Sequence, residues 1–125
     1  MSLKTFITSR IAAFGHAFRG WWHVLKTQHN AWIHAAATLA VLTIAFFLHI
    51  SVGDWCWIIL AISIVWTAEA LNTAFEFLAD AASPEFHPLV RDAKDVAAGA
   101  VLITAVGAIV IGILVLWPYL KKFVS

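Results

Sequence analysis

Residues 55–82, WCWIILAISIVWTAEALNTAFEFLADAA, decide the fold of this 125-residue chain. The first half of the stretch is mostly apolar, and the second half carries Glu69, Asn72, Glu76 and Asp80. At a rise of about 1.5 Å per residue, roughly 20 apolar residues in a helix cross the hydrocarbon of a membrane. The stretch therefore predicts a spanning helix that is longer than the bilayer requires, with its far end protruding into water.

Two further apolar stretches flank this helix. One covers about residues 31–50, and the turn that follows it is so short that the first two spans must be antiparallel. The other covers about residues 95–117 and follows Pro84 and Pro88, which end the preceding helix. A composition of 62% hydrophobic and 12% charged residues is far from that of a soluble domain. The sequence predicts an all-α membrane protein with three transmembrane helices in one domain, residues 1–125.

About residues 3–28 predict an amphipathic helix that lies on the membrane surface, with aromatic and aliphatic residues on one face and basic residues on the other. The cations of this segment are Lys4, Arg10, Arg19 and Lys26. Residues 1–53 contain no carboxylate, and the first turn contains no cation. This distribution predicts a cytoplasmic N-terminus in a multi-pass membrane protein. Lys121 and Lys122 would then lie on the outer side, against the tendency of cations to lie on the cytoplasmic side. The larger cluster of N-terminal cations should outweigh this effect. The alternative interpretation of residues 3–28 is a helix that packs against protein in water.

The polar residues of the second span form a stripe. Glu69, Asn72, Glu76 and Asp80 are spaced 3, 4 and 4 residues apart, which confines them to an arc of roughly 80° on one helix face. Carboxylates inside hydrocarbon cost a few kcal/mol and are usually functional. Glu69 is expected just below the inner interface and Asp80 beyond it, which suits a lipid hydroxyl on one side and a hydrated phosphate on the other. A small proton- or cation-coupled transporter, the competing interpretation, would hold its carboxylates nearer the midplane.

Lys94 and Asp95 lie at the inner mouth of the third span, and Glu85 and His87 lie in the loop before it. The chain contains no Walker A sequence and no glycine-rich phosphate loop. Nucleotide binding would therefore depend on carboxylate-held magnesium, with Lys94 as a point charge on the phosphates. The competing interpretation is that Lys94 and Asp95 only form a solvated cap at the start of the third span.

Two motifs carry a resemblance to a known family. Residues 69–76, EALNTAFE, and residues 93–101, AKDVAAGAV, resemble the prokaryotic diacylglycerol kinase and undecaprenol kinase family. The likeness covers nearly the whole chain, including AFRG at residues 17–20 and Asn30 with His34. Residues 93–101 look closer to the undecaprenol kinase branch.

The resemblance implies a magnesium-dependent lipid kinase that uses ATP and no nucleic acid partner. It also implies a homotrimer with active sites between neighbouring subunits. Carried over by position, Glu69 resembles the general base, with Asn72 beside it, and Glu76 resembles a magnesium ligand. The residues that resemble nucleotide contacts or their supports are Lys94, Asp95, Asp80, Glu85, His87 and Arg10.

One position departs from the family. Gln28 stands where the family usually has a glutamate that helps Glu76 hold magnesium. An amide oxygen can coordinate a hard cation but brings no charge, so metal affinity could be weakened, and a degenerate kinase is a third interpretation. His29 is a poor magnesium ligand and is expected to be a surface residue. His34, inside the first span, is expected to hydrogen-bond across helices rather than to bind a ligand.

Overall fold

The structure is a computed structural model that describes residues 2–124, with side chains to residue 123. Its four helices are α1 (Leu3–Thr27), α2 (His29–Phe47), α3 (Val52–Ala82) and α4 (Pro88–Val124). These described residues contain no strand. Helices α2, α3 and α4 are long and apolar enough to cross a membrane. The predicted fold class, all-α with one preceding amphipathic helix and three spans, is confirmed.

The observed helices extend beyond the predicted spans, most of all at α4. This helix begins at Pro88 rather than near residue 95 and continues to Val124 rather than ending near residue 117. Proline suits the first position of a helix, where the missing N–H would have no helical partner. Pro118 lies inside the helix near its end, where it removes only one backbone donor.

The turn between α2 and α3 also differs from the prediction. Helix α3 begins at Val52 rather than near residue 55, because the Ser51 hydroxyl oxygen accepts from the Asp54 backbone N–H at 3.1 Å and caps the helix. Helix α2 ends at Phe47 rather than near residue 50, and His49 follows it with a positive φ of 50°. A left-handed residue cannot continue the helix, so the turn starts earlier than the apolar run suggests.

Side-chain contacts define an antiparallel bundle. The Trp66 indole Nε1–H of α3 donates to the Thr38 hydroxyl of α2 at 3.0 Å. Helices α3 and α4 are the most extensively packed pair. Tyr119 and Asp54 connect them at the end of the bundle that carries the turn at residue 51, named the outer end, and Lys94 and Asp80 connect them at the opposite, inner end. The pairing keeps α3 in register with both neighbours along its length.

Helix α1 crosses α3 instead of running beside it. The Trp21 ring contacts Trp66 with centroids 5.7 Å apart, and the His23 ring contacts Phe77 at 5.1 Å. Trp21 and His23 are only about 3 Å apart along α1, whereas Trp66 and Phe77 are about 16 Å apart along α3. The two helices therefore meet at a steep angle, as a surface helix and a spanning helix would.

The bundle leaves an open apolar groove between α2 and α4, with α3 as its floor. The groove has a volume of about 490 Å³ and extends from His34 to Trp117. A Cβ built on Gly112, which lines it, would meet no heavy atom within 4 Å. A small apolar cluster of Ala45, Ile58 and neighbouring residues closes the outer end of the bundle. One chain by itself thus leaves much apolar surface without a protein partner.

Candidate active site

Glu69 lies inside the bundle and does not point into lipid. It is only 1% exposed, although it belongs to a predicted membrane-spanning helix. The His34 Nε2 atom of α2 lies 3.5 Å from Glu69 Oε2, at the outer limit of hydrogen-bond distance. Neither carboxylate oxygen has a formed hydrogen bond within residues 2–124. Buried polar atoms are nearly always paired in proteins, so an unpaired buried carboxylate indicates a functional group.

Asn72 lies on the same face of α3, one turn nearer the water-facing end. It is 8% exposed, and its Nδ2–H donates to Glu76 Oε1 at 3.4 Å. Its side-chain oxygen, Oδ1, is buried and has no hydrogen-bond partner among the described residues. The neighbouring Thr73 hydroxyl donates to the Glu69 backbone oxygen at 2.9 Å and is satisfied within the helix. Asn72 therefore offers a free acceptor next to Glu69.

The water-facing end of the stripe carries an ion pair between helices. Lys94 Nζ of α4 donates to Asp80 Oδ1 of α3. The Lys94 side chain is 32% exposed and the Asp80 side chain 65% exposed. Exposed ion pairs contribute at most about 1 kcal/mol, so a phosphate group could replace the carboxylate beside Lys94 at little cost.

The other residues assigned to nucleotide binding stay apart from Glu69 in the single chain. Arg10 is exposed on α1, with its guanidinium over an aromatic ring of the same helix. Asp95 is exposed on α4, and Glu85 is exposed in the loop. The His87 ring nitrogen Nδ1 accepts from a backbone N–H at the start of α4 at 3.2 Å. The contacts among the described residues join Asn72 with Glu76 and Asp80 with Lys94, and no hydrogen bond or ion pair joins the other four to Glu69.

Magnesium prefers oxygen ligands and commonly shares one or two carboxylates with substrate phosphates and water. Glu76 supplies a carboxylate, and Asn72 supplies a buried amide oxygen without a partner. Within the described chain, no group of three or more His, Cys, Asp and Glu side chains could hold a metal ion. Gln28 forms the bend between α1 and α2 through its backbone, and its side chain makes no capping hydrogen bond. The oxygens of Glu76 and Asn72 are too few to enclose a cation. They fit a cation that phosphate oxygens also coordinate.

The contact between His34 and Glu69 is the feature that sequence reasoning missed. A hydrogen bond across helices was expected of His34, but its partner was not identified. One signal was available, because residues at equal distances from a tight antiparallel turn face each other. His34 and Glu69 are nearly equidistant from the turn at residue 51.

Comparison with known proteins identifies the family of the chain. A family model described as prokaryotic diacylglycerol kinase matches residues 15–116. The chain is 43% identical over 108 residues to the undecaprenol kinase of Bacillus subtilis, covering 86% of this chain and 88% of that protein. It is 30% identical over 122 residues to the diacylglycerol kinase of Escherichia coli K12, covering 92% and 94% of the two chains. A diacylglycerol kinase of Synechocystis is 36% identical over 109 residues, covering 86% of this chain and 62% of that protein. The chain belongs to the prokaryotic diacylglycerol kinase family.

Proposed function

We propose that this protein is an ATP-dependent lipid kinase that transfers the γ-phosphate to the hydroxyl of a membrane lipid at the cytoplasmic face. The observation that carries the proposal is Glu69, a fully buried carboxylate whose oxygens have no hydrogen bond in the described chain. The same helix face continues through Asn72 and Glu76 to the exposed pair of Asp80 and Lys94. An alcohol from the lipid and a nucleotide from water can therefore reach one stripe. Membership of a kinase family supports this chemistry.

In the proposed reaction, Glu69 accepts the proton of the lipid hydroxyl, and the free oxygen of Asn72, three residues further along the same helix, is left to the magnesium ion. The hydroxyl oxygen then bonds to the γ-phosphorus of ATP while the bond to the bridging oxygen breaks, and ADP leaves. Phosphoryl transfer of this kind depends mainly on positioning and on neutralising charge. Lys94 neutralises phosphate charge once the nucleotide replaces Asp80 as its partner.

Magnesium is part of the proposal. Glu76 and Asn72 would hold the ion together with phosphate oxygens, and the ion would offset the negative charge of the triphosphate. Gln28 could contribute only a neutral oxygen, which predicts weaker metal binding than a carboxylate would give. The chain is then an active kinase with a reduced magnesium affinity rather than a degenerate one.

A homotrimer with shared active sites is also proposed. Within the described residues, Arg10 and Glu85 make no hydrogen bond or ion pair with Glu76 or Lys94, so a neighbouring subunit would bring such groups to the nucleotide. The apolar groove between α2 and α4 would accept a helix of another subunit. Gly112 and Ala108 line that groove, and small residues allow close helix contact in lipid.

The proposed topology places the basic α1 at the cytoplasmic surface of a bacterial inner membrane. Its cations suit the anionic leaflet, and its steep crossing with α3 suits a helix in the membrane plane. This orientation brings Lys94 and Asp80 to the side where ATP is present.

The proposal extends to the identity of the lipid that accepts the phosphate. Identity is higher to the undecaprenol kinase of Bacillus subtilis, at 43%, than to the Escherichia coli diacylglycerol kinase, at 30%. A polyprenyl alcohol is therefore the first acceptor to test, and diacylglycerol is the second.

The experiment presents both lipids and labelled ATP with magnesium to the purified protein in micelles. We expect transfer of label to at least one lipid, and loss of transfer in Glu69→Gln with the oligomer intact. Asp54→Asn, at the opposite end of α3, is the matched control and should keep its activity. Proton-coupled flux in vesicles without ATP consumption would instead support the transporter alternative, which the kinase names of the family and relatives do not favour.

A further inference from the structure

We propose that His34 is a positioning residue for Glu69. Its Nε2–H donates to Oε2 of the carboxylate and fixes the orientation of the carboxylate, which leaves Oε1 to face the lipid hydroxyl. This inference rests on the proposed function, in which Glu69 is the general base. The sequence motifs by themselves predict only a hydrogen bond across helices for His34.

The first argument is the cost of the Glu69 charge. An ionised carboxylate in a low-dielectric interior needs an opposite charge or a hydrogen-bond donor, or it becomes protonated and cannot act as a base. Glu69 is 1% exposed, so water does not supply that donor. Among the described residues, His34 is the one basic side chain with a nitrogen within 4 Å of the carboxylate, at 3.5 Å.

The groups on the other elements around Glu69 have different partners. On α3, the Asn72 amide donates to Glu76, and the Thr73 hydroxyl donates to a backbone oxygen. On α1, the His23 ring contacts Phe77. On α4, Lys94 is paired with Asp80. Among the described residues, the polar contact recorded for the carboxylate is that of His34 on α2.

The second argument is that the His34 ring is held in place. Its side chain is 15% exposed, and its ring lies edge-on to Trp66 with centroids 6.2 Å apart. Trp66 is fixed in turn by its hydrogen bond to Thr38 and its contact with Trp21. A distance of 3.5 Å is long for a hydrogen bond, but such contacts often tighten when the substrate binds. Either form of the imidazole that carries hydrogen on Nε2 can make this bond.

The test uses a reagent that reads the protonation of Glu69 without turnover. Dicyclohexylcarbodiimide is apolar and adds to protonated carboxyl groups, and mass spectrometry of the peptide containing residue 69 measures the extent of labelling. The variants are His34→Leu, which removes the donor, and His34→Gln, which keeps an N–H near the position of Nε2. His23→Leu is the matched control, because it removes another histidine that packs on α3 but touches no carboxylate. Thermal melting and elution volume confirm that each variant folds.

We expect His34→Leu to label at residue 69 several times faster than the wild type. Its kcat should fall by about tenfold or more, as expected for an impaired general base, with the KM for lipid within about twofold. His34→Gln should recover part of both effects, and His23→Leu should show neither. Unchanged labelling in folded His34→Leu, or equal labelling gains in His23→Leu, overturns the inference.

The two proposals fail in distinguishable ways. Full lipid phosphorylation by Glu69→Gln removes Glu69 as the base and overturns the proposed function, whatever the labelling result. Normal dependence of activity on Glu69 together with labelling that ignores His34 overturns only the role of His34. The labelling measurement needs no active enzyme, so it tests the contact between His34 and Glu69 even in a preparation without kinase activity.

Discussion

The two ends of helix α3 carry similar residue types in opposite states. At the outer end, Asp54 Oδ2 accepts from the Tyr119 hydroxyl at 2.5 Å and from the Ser51 hydroxyl at 2.7 Å, and the Ser51 N–H donates back to Tyr119 at 3.0 Å. Toward the inner end, the carboxylate of Glu69 and the side-chain oxygen of Asn72 are buried without hydrogen-bond partners among the described residues.

The difference indicates that the polar groups at one end hold the helices together, whereas those at the other end are available to a substrate. Leaving a buried polar group unsatisfied costs about 1–3 kcal/mol, so it persists only where another requirement outweighs stability. The outer cluster has no such cost and connects α3 to α4. The inner cluster keeps acceptors free for a substrate. Mutations at the two ends should therefore affect different properties.

The largest effect is expected for Glu69→Gln. Loss of the general base should lower kcat by about 10²–10⁴-fold. Thermal stability should be unchanged or higher, because a neutral amide is easier to bury than a carboxylate. Steady-state kinetics and thermal melting in the same detergent measure both. A large loss of stability with little loss of activity would reverse the contrast between the ends.

The next largest effect is expected for Lys94→Met, which removes the cation at the water-facing end of the stripe. We expect the KM for ATP to rise by about tenfold or more, because a charge-assisted phosphate contact is lost. Arg91→Met is the matched control, since Arg91 is an exposed cation in the same region paired with its neighbour Asp92 at 2.6 Å. Equal effects of the two variants would mean that only the local positive charge matters.

A smaller effect is expected for Gln28→Glu. A carboxylate at this position would add charge to the metal site, so the magnesium concentration for half-maximal activity should fall by several-fold. A magnesium titration at saturating ATP and lipid measures it, with His29→Glu as the control for added charge next to the bend. An unchanged titration in Gln28→Glu would place residue 28 outside the metal site.

The smallest effect on activity is expected for Tyr119→Phe at the outer end. Removing the hydroxyl breaks two hydrogen bonds of the outer cluster, which should lower the melting temperature. Activity at temperatures well below the melting transition should stay within about twofold of wild type, because nothing at this end contacts the stripe. A kinetic defect as large as that of Lys94→Met would mean that the two ends are coupled.

Much of the fold and part of the site could be predicted from residue pattern. The length and hydropathy of residues 55–82 predict a spanning helix, because lipid requires backbone hydrogen bonds to be satisfied within the segment. The spacing of Glu69, Asn72 and Glu76 places them on one face, because helix geometry is local. Helix ends were less predictable. Pro88 begins α4 instead of preceding it, and the Ser51 cap starts α3 earlier than apolar composition indicates.

The sequence by itself determined that the long helices are surrounded by lipid, how many helices there are, and which face of α3 carries the acidic residues. These properties follow from composition and from the helical repeat. Only the tertiary structure decided that Glu69 is buried, that His34 approaches it, and that Asp54 Oδ2 accepts from Tyr119 and Ser51. The reason is that pairing between helices depends on register and rotation, which a local pattern does not encode. Whether a polar group is satisfied is a property of its neighbours across the bundle, and those neighbours are distant in the chain.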